Sequence, residues 1–176
     1  MFENGIIISG FAGIGKTTIV EKYSDAIIDL ESSDYKWIYE TDEIKNMDKE
    51  ARKGISSRSL NPEWPLNYVK EILEKTSEYE IVLISQDLDV RECLRENNTS
   101  YFVCFPSKEC KEEYVARYKA RNNPKTFIAK VEECFEEWID ALMNEDLKII
   151  MQPGEYLETV LTRYNMLPEC KKNNKY

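Results

Sequence analysis

Residues Gly10 to Thr17 read Gly-Phe-Ala-Gly-Ile-Gly-Lys-Thr. The apolar run Ile6-Ile7-Ile8 precedes them, and Thr18-Ile19-Val20-Glu21-Lys22-Tyr23, of helix-compatible composition, follows. A buried strand that feeds a glycine turn and then a helix commits the chain to an α/β architecture. Four of the six glycines lie within the first fifteen residues, so glycine is placed here and is not general filler. Gly10, Gly13 and Gly15 remove side chains, which lets successive backbone N–H groups turn inward around an anion. The start of the following helix adds its partial positive charge.

The pattern therefore implies a nucleoside triphosphate. Gly10, Phe11, Ala12, Gly13, Ile14, Gly15, Lys16, Thr17 and Thr18 surround its phosphates in this reading, with ATP and Mg²⁺ as the bound pair. Lys16 reaches the β- and γ-phosphates, and the Thr17 hydroxyl sits on Mg²⁺.

The rest of the chain reads as a repeat of short apolar strands and helices. Strands are expected at Ala26–Leu30, Glu80–Ser85, Tyr101–Phe105 and Leu147–Met151. A helix is expected from Leu66, entered through Asn61-Pro62-Glu63-Trp64-Pro65 with Asn61 as cap. Another runs from an Asp89 cap through Glu96 to Asn97-Asn98. Ser107 caps a helix from about 108 to 122, which Asn122-Asn123-Pro124 breaks, and a second helix runs from about 126 to 143. Its Val131, Phe135, Trp138 and Leu142 form a core-facing stripe. Five strands alternating with helices imply a mostly parallel sheet with helices on both faces. One domain spans residues 1–167, with a mobile, partly helical insertion at 35–60 and a polar tail at 168–176.

Composition sets limits. With 176 residues, 42% hydrophobic and 32% charged, the chain suits one globular domain. There is no signal-peptide pattern and no apolar run near the roughly 20 residues of a membrane helix, so a cytoplasmic setting without membrane contact is expected. A net charge of −9 argues against nucleic acid as a partner. Cys93, Cys104, Cys110, Cys134 and Cys170 form no Cys-x-x-Cys pair and the chain has no histidine, so reduced, mostly buried thiols are expected and not a zinc site. The lack of histidine leaves Asp or Glu as the general base, if the reaction uses one.

Outside the loop, Arg117 and Arg121 share a helix face four residues apart, while Cys110, Tyr114 and Tyr118 mark a different, apolar stripe on that helix. They either meet substrate phosphate or form a solvated face in which Glu113 pairs with Arg117. Asp29 ends the second strand, where it either orients an acceptor as a base or caps the next turn. Glu31 and Ser32 lie at the same edge. Asp87 follows the third strand as either a metal-ordering carboxylate or a cap. Arg58 and Arg91 are further candidates for substrate phosphate, as is Arg52 in the insertion. Trp64 and Tyr68 either stack on a base or anchor a helix entrance.

The layout resembles the P-loop kinase family, which includes nucleoside monophosphate kinases and shikimate-type kinases. Asp29-Leu30-Glu31-Ser32-Ser33 and Asn61-Pro62-Glu63-Trp64-Pro65 are also similar to stretches in small P-loop proteins of low-GC Gram-positive bacteria and their phages. The resemblance implies the P-loop NTPase fold and makes residues 107–143 a lid-like helical hairpin carrying Arg117 and Arg121. It implies an ATP-dependent kinase, foremost on a nucleoside or deoxynucleoside monophosphate. Such an acceptor is already ionised and needs no base. A kinase acting on a hydroxyl through Asp29 is the second expectation, and a nucleotide-binding switch is the third. The end of the third strand departs from the family, because it lacks Asp-Gly.

Overall fold

A computed structural model describes residues 4–47 and 57–168. Arg52, Cys170 and the tail from 169 onward lie outside the described residues. The strands that read as unbroken apolar runs lie where both faces of a sheet are covered. β1 (Ile6–Gly10), β2 (Ile27–Asp29), β5 (Ile81–Ile84), β6 (Phe102–Pro106) and β7 (Lys148–Met151) form a five-stranded parallel sheet in the order β2-β5-β1-β6-β7. β1 takes the centre, with Ile7 beside Val82 and Gly10 beside Cys104.

Helices α1 (Lys16–Lys22), α4 (Leu66–Lys75), α5 (Leu88–Glu96), α7 (Lys125–Leu142) and α8 (Leu157–Arg163) flank the sheet. With this strand order, the right hand general to parallel crossovers places α4, α5 and α7 over one face and α1 over the other, and α8 contacts α1. The link after β1 runs to one side of the sheet and the link after β6 to the other. That divergence opens a crevice at the carboxyl edge beside the glycine loop.

The expected helix at 108–122 divides into a 3₁₀ turn, Lys108–Cys110, and α6 (Lys111–Ala120). Ser107 makes no cap; its hydroxyl meets Cys110 Sγ at 3.5 Å. Cys110 is buried at the end of the 3₁₀ turn, Tyr114 and Tyr118 on α6, and Ile128, Val131, Phe135, Ile139 and Leu142 on α7. Phe11 lies edge-on to Tyr114 and to Phe135, at 5.8 and 5.9 Å between centroids, which ties the glycine loop to this hairpin. Asn98 and Asn122 take left-handed backbone (φ 52° and 54°) and end α5 and α6 where the paired asparagines were expected to do so.

The expected insertion holds more regular structure than its charged sequence suggests. α2 (Ser33–Lys36) leads into an antiparallel ribbon of β3 (Trp37–Tyr39) and β4 (Arg58–Leu60), with α3 (Asp42–Lys45) between them. Asn61 does not cap α4. Its side chain accepts from the Glu63 amide at 3.0 Å and donates to the Tyr35 carbonyl at 3.0 Å, fastening the ribbon to the turn before the helix. Asp89 does not cap α5 either. Asp87 holds that position, and Asp89, in the first turn, accepts from the Trp64 indole at 3.2 Å. Trp64 and Tyr68 stack inside the core with centroids 5.6 Å apart, the anchor role of the two the sequence left open.

Candidate functional site

The loop between β1 and α1 is held by its carbonyls. Tyr118 donates its hydroxyl to the Ala12 carbonyl at 2.7 Å, Arg117 donates to the Gly13 carbonyl at 3.1 Å, and the Leu157 amide donates to the Ile14 carbonyl at 2.8 Å. In each peptide the N–H points opposite its C=O. Fixing three successive carbonyls outward therefore aims the amides of Gly13, Ile14 and Gly15 to the other side. None of these amides finds an acceptor among the described residues. Gly13 (φ 81°) and Gly15 (φ 98°) supply the left-handed backbone this alternation needs, which residues with a Cβ adopt only at a cost. The product is a ring of unpaired donors, the chemistry of an anion cradle.

Lys16 opens α1, and its Nζ lies 3.6 Å from Asp29 Oδ1 at the end of β2. Both side chains are mostly covered. Thr17 and Thr18 are exposed on the first turn of α1. Loop, lysine and aspartate thus come together at one edge of the sheet.

Arg117 and Arg121 separate in role. Arg117, with its side chain only 11% exposed, pairs with Glu113, donates to the Glu155 carbonyl at 3.0 Å, and lies 3.9 Å over the Tyr156 ring. It is a brace beneath the loop and not part of a solvated face. Arg121 is exposed at the end of α6. Glu113 also accepts from the Gly154 amide at 2.8 Å. That amide first, and the Arg117 guanidinium after it, hold the Glu113 carboxyl below the usual glutamate range. A group with a lowered folded pKa stabilises fully above its unfolded value, and the contribution disappears as pH falls through the folded pKa. Glu113→Gln is therefore expected to melt below the wild type at about pH 7, with the gap closing as pH falls through the lowered Glu113 pKa. Equal melting temperatures at neutral pH would remove Glu113 from the brace.

The remaining candidates scatter. Asp87 is engaged by Lys36, whose Nζ also sits 4.9 Å over the Trp64 ring. Glu31 is exposed and receives the Ser33 amide at 3.4 Å, while Ser32 precedes α2 without a side-chain cap bond. Arg58 lies 4.2 Å over the Trp37 ring on the ribbon. Arg91 is buried against Glu145, which also accepts from Arg95 at 3.1 Å and from the Tyr101 hydroxyl at 2.9 Å. Among the described residues no three His, Cys, Asp or Glu side chains gather as a metal site. Cys93, Cys104 and Cys110 are buried free thiols, and burial pushes the Cys104 thiol up to about 12. No described helix is long and apolar enough to cross a membrane.

Sequence reading did not single out Lys36, Tyr156 or Glu145, and it took Tyr118 only as an apolar stripe residue. Periodicity explains the last case, because a buried tyrosine ring and a hydroxyl bonded to a loop carbonyl produce the same helical spacing. Lys36 gives no local signal, since only the docking of α2 on the Asn61–Trp64 turn brings it to Asp87.

A cavity of about 410 Å³ opens beside the loop, between Gly10 and Lys16 on one side and Phe127 and Trp138 of α7 on the other. No protein-family model matches the chain, and no curated protein matches it.

Proposed function

We propose that the chain is an ATP-dependent phosphotransferase that works on an acceptor hydroxyl with Asp29 as its base. One observation carries the reading: three unpaired loop amides next to Lys16, whose ammonium is 3.6 Å from the carboxylate of Asp29. The cradle suits the β- and γ-phosphates, and Lys16 compensates the charge that gathers there during transfer. Mg²⁺ supplies charge neutralisation on the same phosphates, and the exposed Thr17 hydroxyl is the group that would hold it. Asp87, engaged by Lys36, fits that task less well.

In the transfer, the acceptor oxygen bonds to the γ-phosphorus as the bond to the bridging oxygen breaks. The electron pair leaves with ADP, and the hydroxyl proton passes to Asp29. A pairing that close to the loop gives Asp29 more reason to serve the reacting centre than a turn cap has. This favours a hydroxyl acceptor over the nucleoside monophosphate that led on sequence grounds. The monophosphate reading keeps one supporting observation, Lys36, a further cation at the same edge.

Asp29→Asn separates the two. With MgATP and a panel of nucleosides and nucleoside monophosphates, a hydroxyl kinase is expected to lose about 10²–10⁴ in kcat, the range of a lost general base. A monophosphate kinase is expected to lose much less. A melting temperature unmoved by saturating MgATP in the wild type would overturn the nucleotide reading altogether, because selective binding stabilises by mass action.

A further inference from the structure

The cavity beside the loop is long as well as apolar. Phe127 and Leu142 both line it, and fifteen positions on one helix separate their Cα atoms by about 22 Å. It thus extends from Phe127 at the start of α7, past Phe11, to Trp138, Ala141 and Leu142 near its end, where Arg91 of α5 joins the lining. Lys16 and Gly10 stand at the end nearest the loop. Arg91, in the first turn of α5, lines the groove toward Glu145, beyond the far end of α7. The walls between are aromatic and apolar, through Phe127, Trp138 and Leu142, and about 410 Å³ suits a small molecule.

Arg91 is what makes the far end more than packing. The residue is 7% exposed, yet its Nε finds no hydrogen-bond partner among the described residues. An unsatisfied buried donor on a charged group is costly, and in a native structure it calls for a reason. Inside the protein the single carboxylate of Glu145 faces two guanidiniums, Arg91 and Arg95, while Arg95 reaches Glu92 only at the surface, at 4.0 Å. A planar guanidinium with a donor to spare is the group best matched to a carboxylate or phosphate.

We propose that the acceptor is an elongated molecule with a flat apolar body, lying in the groove along α7, and with an anionic group at its far end seated on Arg91. It rests on the phosphotransfer reading only in calling this occupant the acceptor. An anion held at Arg91 lies at the opposite end from Lys16, so it is not the group that receives the phosphoryl. The receiving group is then a hydroxyl at the Lys16 end, within reach of Asp29. Lys16, Asp29 and Arg91 together would select a hydroxy acid or a hydroxyl-bearing phosphate ester.

Naphthoate, naphthyl phosphate and naphthol serve as probes, followed by their own fluorescence on titration with the full chain. Naphthoate or naphthyl phosphate is expected to bind with one-to-one stoichiometry and at least about tenfold tighter than naphthol, as a charge-assisted contact provides. Which of the two anions binds tighter tells carboxylate from phosphate. Arg91→Met is expected to erase that advantage while leaving naphthol unchanged; Glu145 keeps Arg95 and Tyr101 as partners in that variant. Ala141→Phe, at an exposed helix position that lines the groove, is expected to weaken all three probes without touching Arg91.

Binding of a fluorescent ATP analogue is measured in parallel and is expected to persist in both variants. Anionic probes no tighter than naphthol, or an advantage that survives Arg91→Met, would overturn the proposal. Probe binding that behaves as expected in a chain that binds no ATP analogue would overturn the acceptor role and the phosphotransfer reading, and leave an anion-binding groove.

Discussion

Lys16→Ala is expected to remove turnover, by a factor on the order of 10²–10³ or more, with circular dichroism unchanged. The magnitude is that of deleting one preorganised group aimed at charge developing in a transition state. The fold should persist because Lys16 sits at the rim and its resolved contact is with Asp29, 3.6 Å away, and not with the core. Affinity for MgATP is expected to fall as well, since the amides of Gly13, Ile14 and Gly15 would hold the phosphates without the ammonium. Steady-state ATP turnover and a direct nucleotide titration check the two effects separately. Native turnover in the variant would mean that the loop serves something other than phosphoryl transfer.

Arg117→Met is expected to lower stability by about 2–3 kcal/mol and to weaken triphosphate binding in the same variant. For a chain of this size that corresponds to a melting temperature about 5–10 °C lower. The reasoning starts from what the substitution strands: the Gly13 carbonyl, the Glu155 carbonyl and the Glu113 carboxylate all lose a donor. Glu113 is about one-third exposed and can rehydrate, which keeps the figure below that of a fully buried pair. The Gly13 peptide, no longer held, is free to turn its N–H out of the cradle.

Arg117→Lys retains the charge but loses the fork, so an intermediate loss is expected. Arg121→Lys, on the exposed end of α6, is expected to stay within about 0.5 kcal/mol of the wild type. The resemblance to P-loop kinases implies a lid role for both arginines, and a lid arginine is expected to cost rate, on the order of 10³, with little change in ATP affinity. Thermal melts and kinetics on the same four proteins separate the ideas. A brace predicts lost stability and affinity at Arg117 alone, whereas a lid predicts lost turnover at both positions with melting temperature unchanged.

Much of the architecture was legible because it depends on local chemistry. The runs Ile6–Ile8 and Ile81–Ile84 are apolar without alternation and too short for a helix, as suits a strand covered on both faces, and all but the half-buried Ile6 are buried in interior strands of the sheet. Asn98 and Asn122 stopped their helices where the paired asparagines stood, because a short polar side chain tolerates left-handed backbone. The stripe on α7 reads from spacing alone. The ribbon at 37–39 and 58–60 was missed for the opposite reason: each strand is three residues long, half-buried or exposed, and depends on a partner about twenty residues away. The caps expected at Ser107 and Asp89 failed because each side chain met another partner: Cys110 Sγ within the same turn for Ser107, and the Trp64 indole, 25 positions away, for Asp89.

The sequence by itself determined that a glycine loop joins a buried strand to a helix beginning with Lys16, and that strands and helices alternate around a parallel sheet. Those properties follow from backbone freedom at glycine and from hydrophobic periodicity, which act over a few residues. Only the tertiary structure decided what faces the loop. Arg117 became a brace because α6 packs across the Gly13 and Glu155 carbonyls. Asp29 met Lys16 because β2 and β1 end at the same edge with β5 between them. Arg91 became the buried end of a groove because the start of α5 meets Glu145, just past the end of α7. Each of these placements joins residues from 13 to more than 100 positions apart. Burial and a shared sheet edge set such distances, and no local pattern encodes them.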